Sequence, residues 1–234
     1  MSLRKLAILG FALTLMLPMV AEAGLPLVGT SAGVFVNPVG PVGMIADGVG
    51  TNFFSWGNAI FGTPQSSLGI AGVGFSTQTE TVFSFGTLTY FNGTIASGTQ
   101  ADAVDLLVTL MLTTPAGVNT PFSFNLQLIN SPNTSDPIAS ADIVNFPSFY
   151  PSTVFDYDGV LHTLQIVGFG TVSGGGYTTS SSFNVLENQS ASVDLLGVVT
   201  SDVSNVVPEP GSLALLGLGL SAMAGGLRRR RARK

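Results

Sequence analysis

Between Ala103 and Asn130 the side chains alternate apolar and polar with a period of two, and this limits the fold more than any other feature. In 103–113, Val104, Leu106, Val108, Leu110 and Leu112 share one face, while Asp105, Thr109 and Thr113 share the other. In 122–130, Phe122, Phe124, Leu126 and Leu128 oppose Ser123, Asn125, Gln127 and Ile129. A repeat of two belongs to a strand with one face in the core, so both segments are half-buried strands. Thr114-Pro115-Ala116-Gly117 separates them with turn residues.

Similar patterning gives strands at 67–75, 82–91, 161–169, 181–186 and 191–200. Further turn signals stand at Asn92-Gly93, Ser131-Pro132-Asn133 and Gly174-Gly175-Gly176. The expected fold is all-β, a two-sheet antiparallel sandwich of jelly-roll or immunoglobulin-like type, with a barrel as the second choice. Residues 24–52, rich in Gly, Pro and Val, supply either a first strand or a loose arm.

All eight Lys and Arg residues lie at the ends: Arg4, Lys5, and six that follow Leu227. Arg4 and Lys5, the apolar run from Leu6 to Val20 and the small-x-small triplet Ala21-Glu22-Ala23 have the three parts of a signal peptide. Residues 1–23 are therefore expected to be removed by signal peptidase, with Ala21 and Ala23 setting the cut. Pro18 and the shortness of the run argue against a spanning anchor, which needs roughly 20 apolar residues. At the other end, Pro208-Glu209-Pro210 precedes an uncharged run, Ser212 to Leu227, and then Arg228-Arg229-Arg230-Arg231-Ala232-Arg233-Lys234. As a helix, 212–227 would be about 24 Å long at roughly 1.5 Å per residue. Snorkelling arginines and local thinning let it cross a core of about 30 Å. Arg228, Arg229, Arg230 and Arg231 would hold that end on the cytoplasmic side.

With its triplet, short span and arginine cluster in order, this tail resembles the PEP-CTERM sorting signal of Gram-negative bacteria. The resemblance implies recognition by an exosortase, a membrane-embedded cysteine transpeptidase that cuts near Pro208, Glu209 and Pro210. Proline fixes its own φ and biases the residue before it towards an extended form, so the triplet suits a protease cleft. The chain then divides into a signal peptide 1–23, an exported domain 24–200, a linker 201–207 and a sorting tail 208–234. Within the domain, Phe54-Ser55-Trp56-Gly57 and the run from Phe85 to Ile95, with 104–112 and 164–169, resemble the choice-of-anchor K domain over residues 50–200. That resemblance implies a surface module and carries no catalytic residues.

Residues 24–207 are enough for one domain with a real core. Of thirteen acidic residues only Glu22 and Glu209 fall outside this stretch, which leaves eleven carboxylates and no Lys or Arg. Such a surface cannot neutralise phosphates, so nucleic acid is excluded as a partner. Without cysteine there is no disulfide framework and no thiol nucleophile.

Candidate chemistry is sparse. His162, the single histidine, falls on the face of Leu164 and Ile166, as a structural core residue would. Asp156 and Asp158 lie on one side of an extended Asp156-Tyr157-Asp158-Gly159, where they can ligate Ca²⁺ or act as an acid–base pair. Gly159 comes too early for an EF-hand loop, and the alternative is a polar turn opening the next strand. Phe146, Phe149, Tyr150, Phe155 and Tyr157 form an aromatic stretch that either closes the end of the core or, with Tyr150 and Tyr157 exposed, holds a sugar ring. No catalytic residue and no cofactor is expected, Ca²⁺ being the one candidate metal. The expected protein is non-enzymatic and exported. It begins as an inner-membrane precursor and becomes a cell-surface or extracellular-matrix protein with a structural or adhesive role in exopolysaccharide or biofilm. A carbohydrate-binding module is the alternative, and a glycoside hydrolase using Asp156 and Asp158 the second.

Overall fold

The computed structural model describes residues 24–147, 152–173 and 176–201. They hold fourteen strands and no helix: β1 (Pro26–Val39), β2 (Ala46–Asp47), β3 (Phe53–Trp56), β4 (Ser66–Ala71), β5 (Gly74–Gln78), β6 (Phe83–Phe91), β7 (Ala103–Thr114), β8 (Asn119–Ile129), β9 (Asp142–Asn145), β10 (Ser152–Tyr157), β11 (Val160–Ser173), β12 (Gly176–Ser180), β13 (Ser182–Val185) and β14 (Ser190–Ser201). A six-stranded antiparallel sheet runs β13-β9-β8-β7-β1-β5, and an eight-stranded one runs β10-β11-β14-β6-β4-β3-β2, with β12 paired to β11. The expected signal helix, the expected span 212–227 and the processing residues Ala21, Ala23, Pro208, Glu209, Pro210 and Arg228 to Arg231 lie outside the described residues.

The alternating segments are paired as their pattern requires. Val104 faces Leu126, Leu106 faces Phe124 and Val108 faces Phe122 across β7 and β8, and all six side chains are buried. Between the sheets lies one hydrophobic cluster. An aromatic row crosses it from Phe35 in the six-stranded sheet to Phe54, Trp56 and Tyr90 in the other, with successive ring centroids 6.1, 5.3 and 5.6 Å apart. Each large apolar side chain buried there is worth about 1.5–3 kcal/mol, and each ring pair about 0.5–1.5 kcal/mol more.

Residues 26–39, which have no clear sequence signature, form a fourteen-residue strand between β7 and β5. Its inward positions are Leu27, Gly29, Ser31, Gly33 and Phe35, while Val28, Thr30 and Ala32 point out, so hydrophobicity and burial are out of step. The small inward residues let the sheets approach. A Cβ on Gly33 would lie 2.9 Å from Ile70 Cγ1 of the facing sheet. The Ser31 hydroxyl donates to the Phe85 carbonyl of that sheet and accepts from Val73 N at 3.0 Å.

One expected strand is two. The segment read as 67–75 breaks after Ala71: β4 belongs to the eight-stranded sheet and β5 to the six-stranded one. At the corner, Ser31 N donates to Val73 O at 3.0 Å, and a Cβ on Gly72 would stand 2.0 Å from Ser31 O. Strands β2, β3, β9, β10 and β12 are additions to the sequence reading.

Candidate functional site

Strand β14 gives the domain two ends. Its last residue, Ser201, pairs with His162, and its first, Ser190, pairs with Phe91. Eleven residue-to-residue steps at roughly 3.3 Å each separate them by about 36 Å. The end at Ser201 also holds the start of β1, because Tyr157 Oη donates to Pro26 O at 2.9 Å. We call it the tail-proximal end and the other the distal end.

The residues singled out from sequence gather at the tail-proximal end without forming a site. Tyr157 and Val160 are paired across a two-residue turn, Asp158-Gly159, with φ of 55° and 80°. That is the left-handed geometry hairpin turns use, and Asp-Gly suits it. Asp156 is exposed, and its Oδ1 accepts from Gly159 N at 3.0 Å, capping the turn. The polar-turn reading describes this segment. Tyr157 is a correction: it is 6% exposed, its ring in the core, so it offers no open platform for a sugar. The alternation of β10 causes this, since Phe155 and Tyr157 share the inward face. Tyr150 lies outside the described residues.

His162 is a core residue beside Leu164 and Ile166, as its position on the strand implies. Its ring lies 5.9 Å from that of Phe155, nearly parallel, and Nδ1 stands 3.0 Å from Val160 O. The other ring nitrogen, Nε2, is buried without a hydrogen-bond partner. The histidine is therefore structural but only half satisfied. Among the described residues no three His, Asp or Glu side chains converge as a metal site would require.

At the distal end sequence reasoning missed a polar construction. Tyr90 and Asp142, 52 residues apart, are 2% and 5% exposed. Tyr90 Oη donates to Asp142 Oδ2 at 2.8 Å, and Ser131 N donates to Oδ1 at 2.7 Å. Burial pushes the Asp142 carboxyl up to about 6, against the two hydrogen bonds it accepts and with added repulsion from Glu187. Burial, and then the Asp142 charge, raises the Tyr90 phenol far above its usual range, so it remains a donor. Asn92 is not a turn tip. It is 1% exposed, and its Nδ2 donates to Ser140 O at 3.3 Å and Val185 O at 3.0 Å, tying the loop before β9 and the end of β13 to the end of β6.

These contacts support a cavity of about 440 Å³ between the segments after β3, β6 and β8. Gln100, Asn130, Ser131, Asn133 and Asp142 supply polar walls, and Ile60, Ile95 and Pro132 apolar ones. The walls are tied together. Ile60 N donates to Thr94 O at 3.0 Å, Ala96 N to Asn58 O at 2.8 Å, and Ser131 Oγ to Ala141 O at 2.8 Å. Trp56 Nε1 donates to Asn130 Oδ1 at 3.4 Å, which joins the cavity wall to the aromatic row.

From Ser201 the chain continues towards the proline triplet, and residues 206–231 match the PEP-CTERM protein-sorting motif. The chain carries a PEP-CTERM sorting signal. The match covers the triplet, the apolar run and the arginine cluster together. A PEP-CTERM tail implies an exported protein with a C-terminal membrane-anchoring signal that an exosortase processes. No curated protein matches the chain. The PEP-CTERM motif begins a few residues after β14, so the tail-proximal end is the one nearest the processing site along the chain, and the cavity lies at the other.

Proposed function

We propose that the protein is a non-enzymatic surface or extracellular-matrix module, exported, cut by an exosortase and left with a structural or adhesive role among exopolysaccharide. The observation that carries this reading is the PEP-CTERM motif at 206–231 joined, through a few residues, to a β domain that ends at Ser201. Its likeness to choice-of-anchor K modules over residues 50–200 supports the surface role. So does its charge: with both ends removed, the mature domain is a polyanion without Lys or Arg, which favours solubility outside the cell over adsorption to anionic lipid. Signal peptidase and exosortase are its processing partners, and the inner membrane holds it only as a precursor.

Replacing Pro208, Glu209 and Pro210 with Ala in the native host tests the proposal. The parent protein is expected in the surface or matrix fraction without its tail, and the variant in the membrane fraction with its tail intact. Equal tail retention in both would refute it.

A further inference from the structure

Phe61 is the least explained residue of the distal end. Thr63 N donates to Ile60 O at 3.2 Å, closing a four-residue turn in which Phe61 and Gly62 have φ of 55° and 76°. Both central positions are left-handed, where Asn, Asp and Gly are normal and a bulky L residue is strained. Strain of this kind is usually offset by burial, yet Phe61 is 90% exposed. The fold thus holds an aromatic ring in solvent, in an unfavourable backbone conformation, with no packing return. Its neighbour Ile60 lines the 440 Å³ cavity, which falls within the roughly 300–1,000 Å³ usual for small-ligand sites.

From this geometry we infer that the distal cavity, together with the exposed Phe61 that follows Ile60 of its wall in the chain, binds a neutral saccharide. The aromatic face takes the C–H surface of a sugar ring. Asn133 and Gln100 offer amide groups and Ser131 a hydroxyl to its hydroxyls, above an Asp142 carboxylate already held by Tyr90 and Ser131 N, and Ile95 packs its apolar edge. Anionic sugars are disfavoured, because no Lys or Arg occurs between Lys5 and Arg228 and a carboxylate lines the wall. The cavity is cross-tied by backbone hydrogen bonds, so little ordering is needed on binding. It lies at the end of the domain away from Ser201, the last described residue before the sorting tail. The sugar-binding face thus sits opposite the Asp156–Gly159 turn. The ligand class deepens the matrix reading, but the site's geometry is independent of sorting.

The test uses the full chain purified in detergent, a glycan array of neutral and anionic oligosaccharides, and titration of hits by the fluorescence of Trp56, the chain's single tryptophan. At least one neutral oligosaccharide is expected to bind. Phe61→Gly is expected to melt at the same or a higher temperature, because Gly suits the turn, while binding at least tenfold more weakly. Asn133→Ala is expected to weaken binding with an unchanged melting temperature. Binding of no neutral glycan, binding confined to anionic ones, or unaltered binding by Phe61→Gly would overturn the inference. So would a lower melting temperature for Phe61→Gly, which would make Phe61 structural, or concentration-dependent self-association lost in that variant, which would make Phe61 a contact between copies. Each of these outcomes leaves tail cleavage, measured in cells, unaffected.

Discussion

The two ends of the domain use similar residues for different purposes. At the tail-proximal end, Tyr157 is buried and spends its hydroxyl on the Pro26 carbonyl, while Asp156 caps an exposed turn. At the distal end, Tyr90 is buried and donates to an equally buried carboxylate that also anchors the loop after β8. A Tyr near an Asp marks a site only when both are desolvated and shape a cavity. The tail-proximal pair closes the fold and the distal pair builds a wall.

The largest expected effect comes from the element joining the distal wall to the core. Trp56→Ala should cost about 3–5 kcal/mol in urea unfolding followed by circular dichroism, because it opens the aromatic row and leaves Asn130 without its indole partner. A cost near that of a surface substitution would show that the cavity wall stands independently of the core.

Next in size is the pH response of Asp142. Its folded value, about 6, lies above the ordinary carboxyl value of 3.8, so between these the native state holds the proton more tightly than the unfolded chain. Stability from this group is therefore full at low pH, is lost as pH rises through about 4 to 6, and levels off above. The stability of the parent protein relative to Asp142→Asn should fall by about 2–3 kcal/mol across that window. A flat difference would mean that Asp142 is not desolvated as its burial indicates.

The two tyrosines then give a matched comparison. Tyr90→Phe removes a donor from a buried carboxylate and should cost about 1.5–3 kcal/mol, whereas Tyr157→Phe removes a bond to a neutral carbonyl and should cost about 1 kcal/mol. Equal costs measured by denaturant midpoints would erase the distinction between the ends. Smallest is Asp156→Ala, which removes an exposed turn cap and should shift stability by about 0.5 kcal/mol, with no change in ligand binding.

What could be read from sequence follows the same physics. Strands β7 and β8 are legible because their inward positions hold large apolar side chains and their outward ones are mostly polar. Strand β1 is not, because close approach of the sheets puts Gly29, Ser31 and Gly33 inside and leaves Val28 and Ala32 outside. The corner at Gly72 is hidden because both halves of 67–75 have strand character, and only the position of Ser31, far away in sequence, shows why they part. The sorting tail is legible because its triplet, span and charges are contiguous, and the motif found at 206–231 agrees with it. The Tyr90–Asp142 pair is invisible by the converse argument, since contact across 52 residues leaves no local pattern. A Phe-Gly pair between turn residues was the one available signal for Phe61. It reads as an ordinary apolar residue until its φ and exposure are known.

Intact mass spectrometry of the mature protein from its host tests the central claim most directly, that processing at both ends turns a membrane precursor into a free polyanionic β module. The predicted species begins at Gly24 and ends near Pro208-Glu209-Pro210, without any of the eight Lys and Arg residues. A mature species that still carries Arg228 to Lys234 would contradict the account.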